Sequence, residues 1–359
     1  MPKMKILMIT PFHKQIRGNA VTAARICSGL QKLGWRIDLC SLEERRILEV
    51  FCKKEDNTDS YSPYYARYGM IHGFHAVHIS RILHEVEELK ELPLLLTMTG
   101  TDIHNLREGE DTAVIHAALN HATAITVFNA DFISFLSGTC PAWGAKTNLI
   151  TQGVALKEGK PLLRQDLGLS EKELVFILPS GLRAIKNIDM AVDAINILLK
   201  SDHKKKVKLI IAGPALEENY AERLLRRFEL SPEIKYLGAI NHHDIKPLLQ
   251  LADVVINCSL SEGQPQAALE AMSLGKPCIL TAVPGNLNII ENYREGIYVQ
   301  NTEDLAAAMD FYLSKPALRR TMGLAAKELV AKEFSAEREI SFYHALYQQI
   351  IPSIDNVKK

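Results

Sequence analysis

Short apolar runs of strand length alternate with longer segments of helical periodicity along nearly the whole chain. In the first half, "KILMIT" precedes a helical pattern over Val21–Leu33, and Gly34 then leads into "WRIDLCSL". "GMIHGF" precedes a helix near His78–Leu89, "PLLLTMT" one near Thr112–His121, and "AITVF" a short one over Ala130–Leu136, before "KTNLITQG". The strand runs are apolar throughout rather than alternating, which predicts parallel sheets covered on both faces. A polar stretch, "ALKEGKPLLRQDLGLSEKE" (155–173), interrupts the rhythm and reads as a linker.

The pattern then starts again. "LVFILPS", a helix over Asn187–Leu199, "VKLIIAG", a helix over Glu217–Phe228, "IKYLG" and a helix over His243–Leu251 lead into "DVVINCS". "PCILT" and "GIYVQ" complete the strands, and the remainder is helical. The predicted class is α/β, with two doubly wound, Rossmann-like domains: residues 1–155, to which a C-terminal helix 336–354 returns, and residues 170–335. Their strand ends are expected to face a shared cleft, a preferred place for a ligand.

The stretch "SLSEGQPQAALEAMSLGKP" (259–277) joins two of these strands and raises the first chemical question. Pro265 suits the first position of a helix, and Gly275 and Pro277 suit its stop. Glu262 falls in the turn and Glu270 inside the helix, where side chains lean back toward the N-terminus. Both carboxylates can border one crevice, and vicinal sugar hydroxyls donate hydrogen bonds at matching spacing. The plain alternative, a first-turn Glu favoured by the helix dipole and a solvent-facing Glu, stays open on this stretch alone.

Phosphate binding needs backbone donors at a helix start, helped by cations. "RGNAVTA" (17–23) and "SGLRAIKN" (180–187) each follow the first strand of a half, and "VPGN" (283–286) is read as opening a short helix. The second loop offers Arg183 and Lys186, the first Gly18 and Asn19. There is no G-x-G-x-x-G or Walker loop, so dinucleotide redox and P-loop hydrolysis lack support. His72, His75 and His78 recur at every third position, but a strand would divide them and no carboxylate or Cys completes a zinc set. No metal site is expected. His75, at a strand's end, is the one expected to face the cleft.

Composition narrows the setting. The chain has 359 residues and a formal net charge of zero, so no global field draws it to nucleic acid or acidic lipid. "KKKVK" (204–208) reads as a solvated loop. The six Cys are scattered with no C-x-x-C pair, which favours free thiols in a reducing cytoplasm. No apolar run approaches membrane-spanning length, and none suits a secretion signal.

These residues resemble glycosyltransferase family 4, retaining enzymes of GT-B fold that use nucleotide sugars. Glu262-x7-Glu270 within "SEGQPQAALEAMSLGKPCI" is similar to the family's paired-Glu signature, "SGLRAIKN" to its Arg/Lys loop, and "GNAVTAARICSGLQKLGWRIDL" to its Gly loop and first helix. "TMTGTDIH", "TQGV", "IIAGP" and "GNLNIIENYREGIYV" extend the likeness along the chain. The resemblance implies that Glu270 binds the ribose hydroxyls and Glu262 the donor sugar, with Gly263, Gln264 and Pro265 beside them. Arg183 and Lys186 then neutralise the diphosphate, so that no metal and no cofactor beyond the nucleotide-sugar substrate is needed. Thr99, Gly100 and Asp102 fall at the implied cleft edge; Asp102 either orients a hydroxyl or caps the next turn.

Three positions depart from the family pattern. Thr99 stands where a His is usual, Arg183 and Lys186 are closely spaced, and Asn288 holds a place often taken by Glu. The departures are similar to a narrower group, the animal glycosyltransferase 1 domain-containing proteins and bacterial selenosugar synthases, for which selenophosphate is an acceptor. The function implied is transfer of a sugar, with retention, from a UDP-linked donor to a small-molecule or glycan acceptor. The irregular segments 43–67 and 103–111 are where acceptor contacts are expected. Two alternatives share the fold: a UDP-sugar epimerase or hydrolase, and a non-catalytic sugar-nucleotide-binding protein.

Overall fold

The computed structural model describes residues 4–11, 18–42, 67–201 and 206–357. Arg17 of the first Gly loop, nearly all of the 43–67 segment, and Lys204 and Lys205 of the basic cluster lie outside them.

The chain divides into two units, residues 1–153 with 336–359, and residues 154–335. The first contains β1 (Lys5–Thr10), β2 (Arg36–Ser41), β3 (Tyr68–Phe74), β4 (Leu94–Thr97), β5 (Ala124–Val127) and β6 (Thr147–Leu149). They form one parallel sheet in the order β2-β1-β3-β4-β5-β6. The second contains β7 (Leu174–Pro179), β8 (Val207–Ala212), β9 (Ile234–Tyr236), β10 (Val254–Asn257), β11 (Cys278–Thr281) and β12 (Gly296–Val299). Their order is β12-β11-β10-β7-β8-β9, again parallel. The side chains of β3, β4, β5 and β11 are buried throughout, as the unbroken apolar runs require of sheets covered on both faces.

In the second sheet the chain winds outward from β7 through β9, then returns to the other side of β7 and winds outward again. The direction reverses between β7 and β10, and two loops leave their carboxyl ends there, at the kind of point where open α/β sheets bind ligands. The loops are 180–187 and 258–265, which are distant in sequence and adjacent because of strand order alone. The equivalent reversal in the first sheet lies between β1 and β3.

Helix Ala336–Val357 belongs to the first unit. Ile340, Tyr343, Leu346 and Tyr347 join the core over Ile6, Met8, Met70 and Phe74. A buried polar chain fixes its register: His72 bonds Tyr347 through Nδ1 and Thr97 through Nε2, each at 2.7 Å, and Thr97 bonds Thr126 at 2.7 Å. Arg25 clasps Glu339 with two bonds of 2.7 and 2.9 Å.

Some local expectations differ. Residues 103–111 are not an irregular loop, because Thr101–Glu108 is a helix ended by left-handed Gly109. Its start is held by Asp102, described below. The segment "VPGN" makes turns rather than a helix, since Gly285 and Asn288 take φ of 89° and 64°. Pro265 is the residue before its helix, not the first in it; the helix runs Gln266–Ser273. The polar segment 155–173 packs on the second unit. Arg164 caps the carbonyls of Ser170 and Glu173 and pairs with Asp253, and Leu169 enters the core.

Candidate active site

The loop after β7 is shaped by its own turn. Ala184–Lys186 is one turn of 3-10 helix, closed by Lys186 N–H to the Arg183 carbonyl at 2.9 Å. Glu217 accepts the Ala184 N–H, and Asn187 leaves the turn in the left-handed region before the helix Ile188–Ser201. Leu260 N–H then bonds the Ile185 carbonyl at 2.9 Å, which ties this loop to the one after β10. A third segment joins through Glu262 N–H to the Pro284 carbonyl. Next to it, Gly285 has φ 89°, and a Cβ there would meet the Glu262 carbonyl oxygen at 1.8 Å. Only glycine fits.

These backbone ties bring Lys186 and Glu262 together. Lys186 Nζ lies 2.5 Å from Glu262 Oε1, with the two side chains 18% and 11% exposed. The same oxygen accepts Ser259 Oγ at 2.6 Å and Asn257 Nδ2 at 2.9 Å. Glu262 Oε2 accepts nothing among the described residues. Burial pushes the carboxyl up, but the Lys186 ammonium and the Ser259 and Asn257 bonds outweigh it and hold it below the usual carboxylate range. The group is therefore an ionised acceptor with one oxygen saturated and one open.

Arg183 lies on the same loop, and its Nε is buried without a hydrogen-bond partner among the described residues. A buried donor in that state costs free energy until something accepts from it. Glu270 is buried on the helix after the Glu262 loop. Gly263, Gln264 and Pro265 form the buried link between them, and the Gln264 and Pro265 carbonyls accept the first helical N–H groups.

In the first unit the expected residues gather around Asp102. Its carboxylate accepts the N–H groups of Ala76, Thr99, Gly100 and Ile103 at 2.9 to 3.1 Å, and it is fully buried. Of its two weighed roles it performs the cap, stapling the loops after β3 and β4. Thr99 accepts from Asn19 Nδ2 at 3.4 Å. Gly100 takes φ 109°. Gly18 opens the helix Gly18–Lys32, and nothing in the protein crowds a Cβ there. His75 follows β3 with φ 73°, a strained conformation for a side-chain-bearing residue. Its Nδ1 is buried without a hydrogen bond, and its ring sits 4.6 Å from that of His78. Burial first, then His75 and Arg81, bring His78 down to about 4.

Asn257, Ser259, Thr281 and Asn286 escaped the sequence analysis. Amides and hydroxyls carry no spacing signal, and only their position at or just beyond the ends of β10 and β11 hinted at a role.

Residues 159–329 match the family model described as Glycosyl transferases group 1. That segment is just under half of the chain, and over it the protein is similar to the group 1 glycosyl transferases. A relative from Xenopus tropicalis, glycosyltransferase 1 domain-containing protein 1, is 25% identical over 96% of this chain and 97% of its own. The N-acetyl-alpha-D-glucosaminyl L-malate synthase of Bacillus anthracis is 26% identical over 75% of this chain and 71% of its own. Among solved structures, Anabaena HepE in complex with UDP and glucose superposes with a TM-score of 0.77 at 18% identity, covering 96% of this chain and 100% of that one. The fold is GT-B. Among the described residues, no helix is long and apolar enough to cross a membrane.

Proposed function

We propose that this glycosyltransferase takes its sugar from a UDP-linked donor held by the second unit and transfers it with retention, without a metal ion. The observation that carries the reading is the Lys186–Glu262 pair at the reversal point of the second sheet, with one carboxylate oxygen open and an unsatisfied Arg183 Nε on the same loop as Lys186. Glu262 accepts hydroxyls of the donor sugar, and Glu270 those of the ribose. Arg183 and Lys186 meet the diphosphate. Gly263, Gln264 and Pro265 line the donor, and Gly18 and Asn19 are also assigned to donor binding.

The chemistry follows from charge. As the bond between sugar and diphosphate lengthens, negative charge grows on the leaving oxygens. Cations already in place stabilise it without having to reorganise. The UDP held by HepE supports the choice of nucleotide. The acceptor, a small molecule or glycan, is assigned to the first unit, where His75, Thr99 and Gly100 lie after β3 and β4.

Mass spectrometry of products from several UDP-sugars tests the reading. The incubations run with and without selenophosphate, L-malate and a metabolite extract, and each is repeated with EDTA. Transfer that needs an acceptor, survives EDTA and keeps the anomeric configuration is the expected result. Sugar products formed from donor alone favour an epimerase or hydrolase. UDP binding with no product from any mixture, unchanged in Glu262→Ala, favours a non-catalytic binder.

A further inference from the structure

A glutamate carboxylate rotates about its last torsion through a broad, twofold well. Glu262 cannot do so freely, because all three of its side-chain donors converge on Oε1. Two of them are braced from behind. Asn257 Oδ1 accepts the Ser259 N–H at 3.1 Å, and a backbone N–H can only donate, so Nδ2 is the end that faces Glu262. Asn286 Nδ2 donates to the same Oδ1 at 3.1 Å.

Asn286 is wholly buried, and its own amide is fixed in turn. Nδ2 also lies 3.0 Å from the Thr281 carbonyl, which can only accept. The Thr281 hydroxyl donates to the Ser259 carbonyl at 2.6 Å, holding the residue that supplies the third bond. The main-chain carbonyl of Asn286 accepts from the Tyr298 hydroxyl at 2.8 Å, while its side-chain Oδ1 is buried without a hydrogen-bond partner among the described residues. Tyr298 stands on β12, Thr281 ends β11 and Asn257 ends β10, so three strands contribute to the orientation of one carboxylate.

We propose that Asn286 and Asn257 are positioning residues, a relay of two amides that locks Glu262 Oε1 and presents Oε2 to hydroxyls of the donor sugar. The inference rests on the reading of Glu262 as the residue that meets that sugar. It also specifies what the open oxygen takes. With its partner saturated and no donor of its own, Oε2 recognises neutral hydroxyl donors and disfavours an anionic substituent at the same place.

Calorimetric titration of UDP and of UDP-glucose provides the test, because UDP lacks the group that Oε2 meets. Asn286→Ala is expected to leave UDP affinity within about twofold and weaken UDP-glucose by about tenfold, the usual scale for a hydrogen bond to a charged group. In a Glu262→Gln background the same change is expected to have no further effect. Equal losses for both ligands, or independent losses in the two variants, overturn the proposal. An unchanged Asn286→Ala alongside a UDP-glucose loss in Glu262→Gln also overturns it, while the donor reading stands. If Glu262→Gln leaves UDP-glucose binding intact, the donor reading falls first.

Asn257→Asp keeps the shape and provides the check should Asn286→Ala fail to bind UDP. It places a second carboxylate against Oε1, so the acid limb of UDP-glucose binding is expected to move to higher pH while UDP binding holds. An unmoved acid limb overturns the relay.

Discussion

Lys186 and Glu262, 76 positions apart, meet at 2.5 Å because β7 and β10 are neighbours in the second sheet. Replacing Lys186 by Met keeps most of the stem and leaves the carboxylate without its countercharge. Breaking such a pair from one side costs roughly 2–3 kcal/mol, below the range for fully buried pairs because both side chains keep some exposure. Lys186→Met/Glu262→Gln removes both charges and is expected to be more stable than Lys186→Met alone. Urea unfolding of the single and double variants measures the difference; equal stabilities would deny that the pair is coupled.

His72 gives the first unit a pH dependence of predictable sign. Burial brings its ring down to about 3, so it stays neutral in the fold while the unfolded chain takes up a proton near 6.5. The stability linked to it is fully present above pH 6.5 and is lost as pH falls toward 3, at about 1.4 kcal/mol per unit. His72→Asn is expected to be less stable at pH 7.5 yet to show a flatter fall in Tm between pH 6.5 and 5. His78 shifts in the same direction, and it cancels when the two proteins are compared.

The alternation of strands and helices was legible because parallel strands buried on both faces admit few polar residues, as β3 and β4 show. Helix Thr101–Glu108 was not, because its sequence is polar and its start depends on Asp102 accepting N–H groups from two loops. Arg183, Lys186 and Glu262 could be chosen as ionisable residues after strands. That Lys186 and Glu262 touch depends on strand order, which periodicity does not encode. Asn286 was hidden for a further reason: its role passes through Asn257, and neither is a residue type that stands out beside charged neighbours.

Arg25 and Glu339 join sequence positions 314 apart, and their side chains are 9% and 0% exposed. Arg25→Met strands a buried carboxylate and is expected to cost roughly 3–4 kcal/mol. Arg25→Met/Glu339→Leu recovers much of that loss, because apolar side chains of similar size can fill the site. Thermal unfolding monitored by Trp35 fluorescence suits the measurement, since Trp35 donates to His344 on the same C-terminal helix. A double variant no more stable than Arg25→Met would mean that the pair is not the device holding the helix.

Gly285 separates shape from charge at the candidate site. Its Cβ position is 1.8 Å from the Glu262 carbonyl oxygen, and its φ of 89° disfavours any other residue. Relieving that contact must move backbone, since neither atom belongs to a flexible side chain. Gly285→Ala is therefore expected to shift the Glu262 segment and break its N–H bond to the Pro284 carbonyl. The global cost is expected at about 1–3 kcal/mol, the scale of a strained local backbone. Transfer should fall at least about a hundredfold, since small displacements in a preorganised site are that costly. Circular dichroism establishes that the variant is folded, and initial rates with the preferred donor then read the loss. Near-normal rates in a folded Gly285→Ala would show that transfer tolerates a displaced Glu262, and the role proposed for that carboxylate would have to be abandoned.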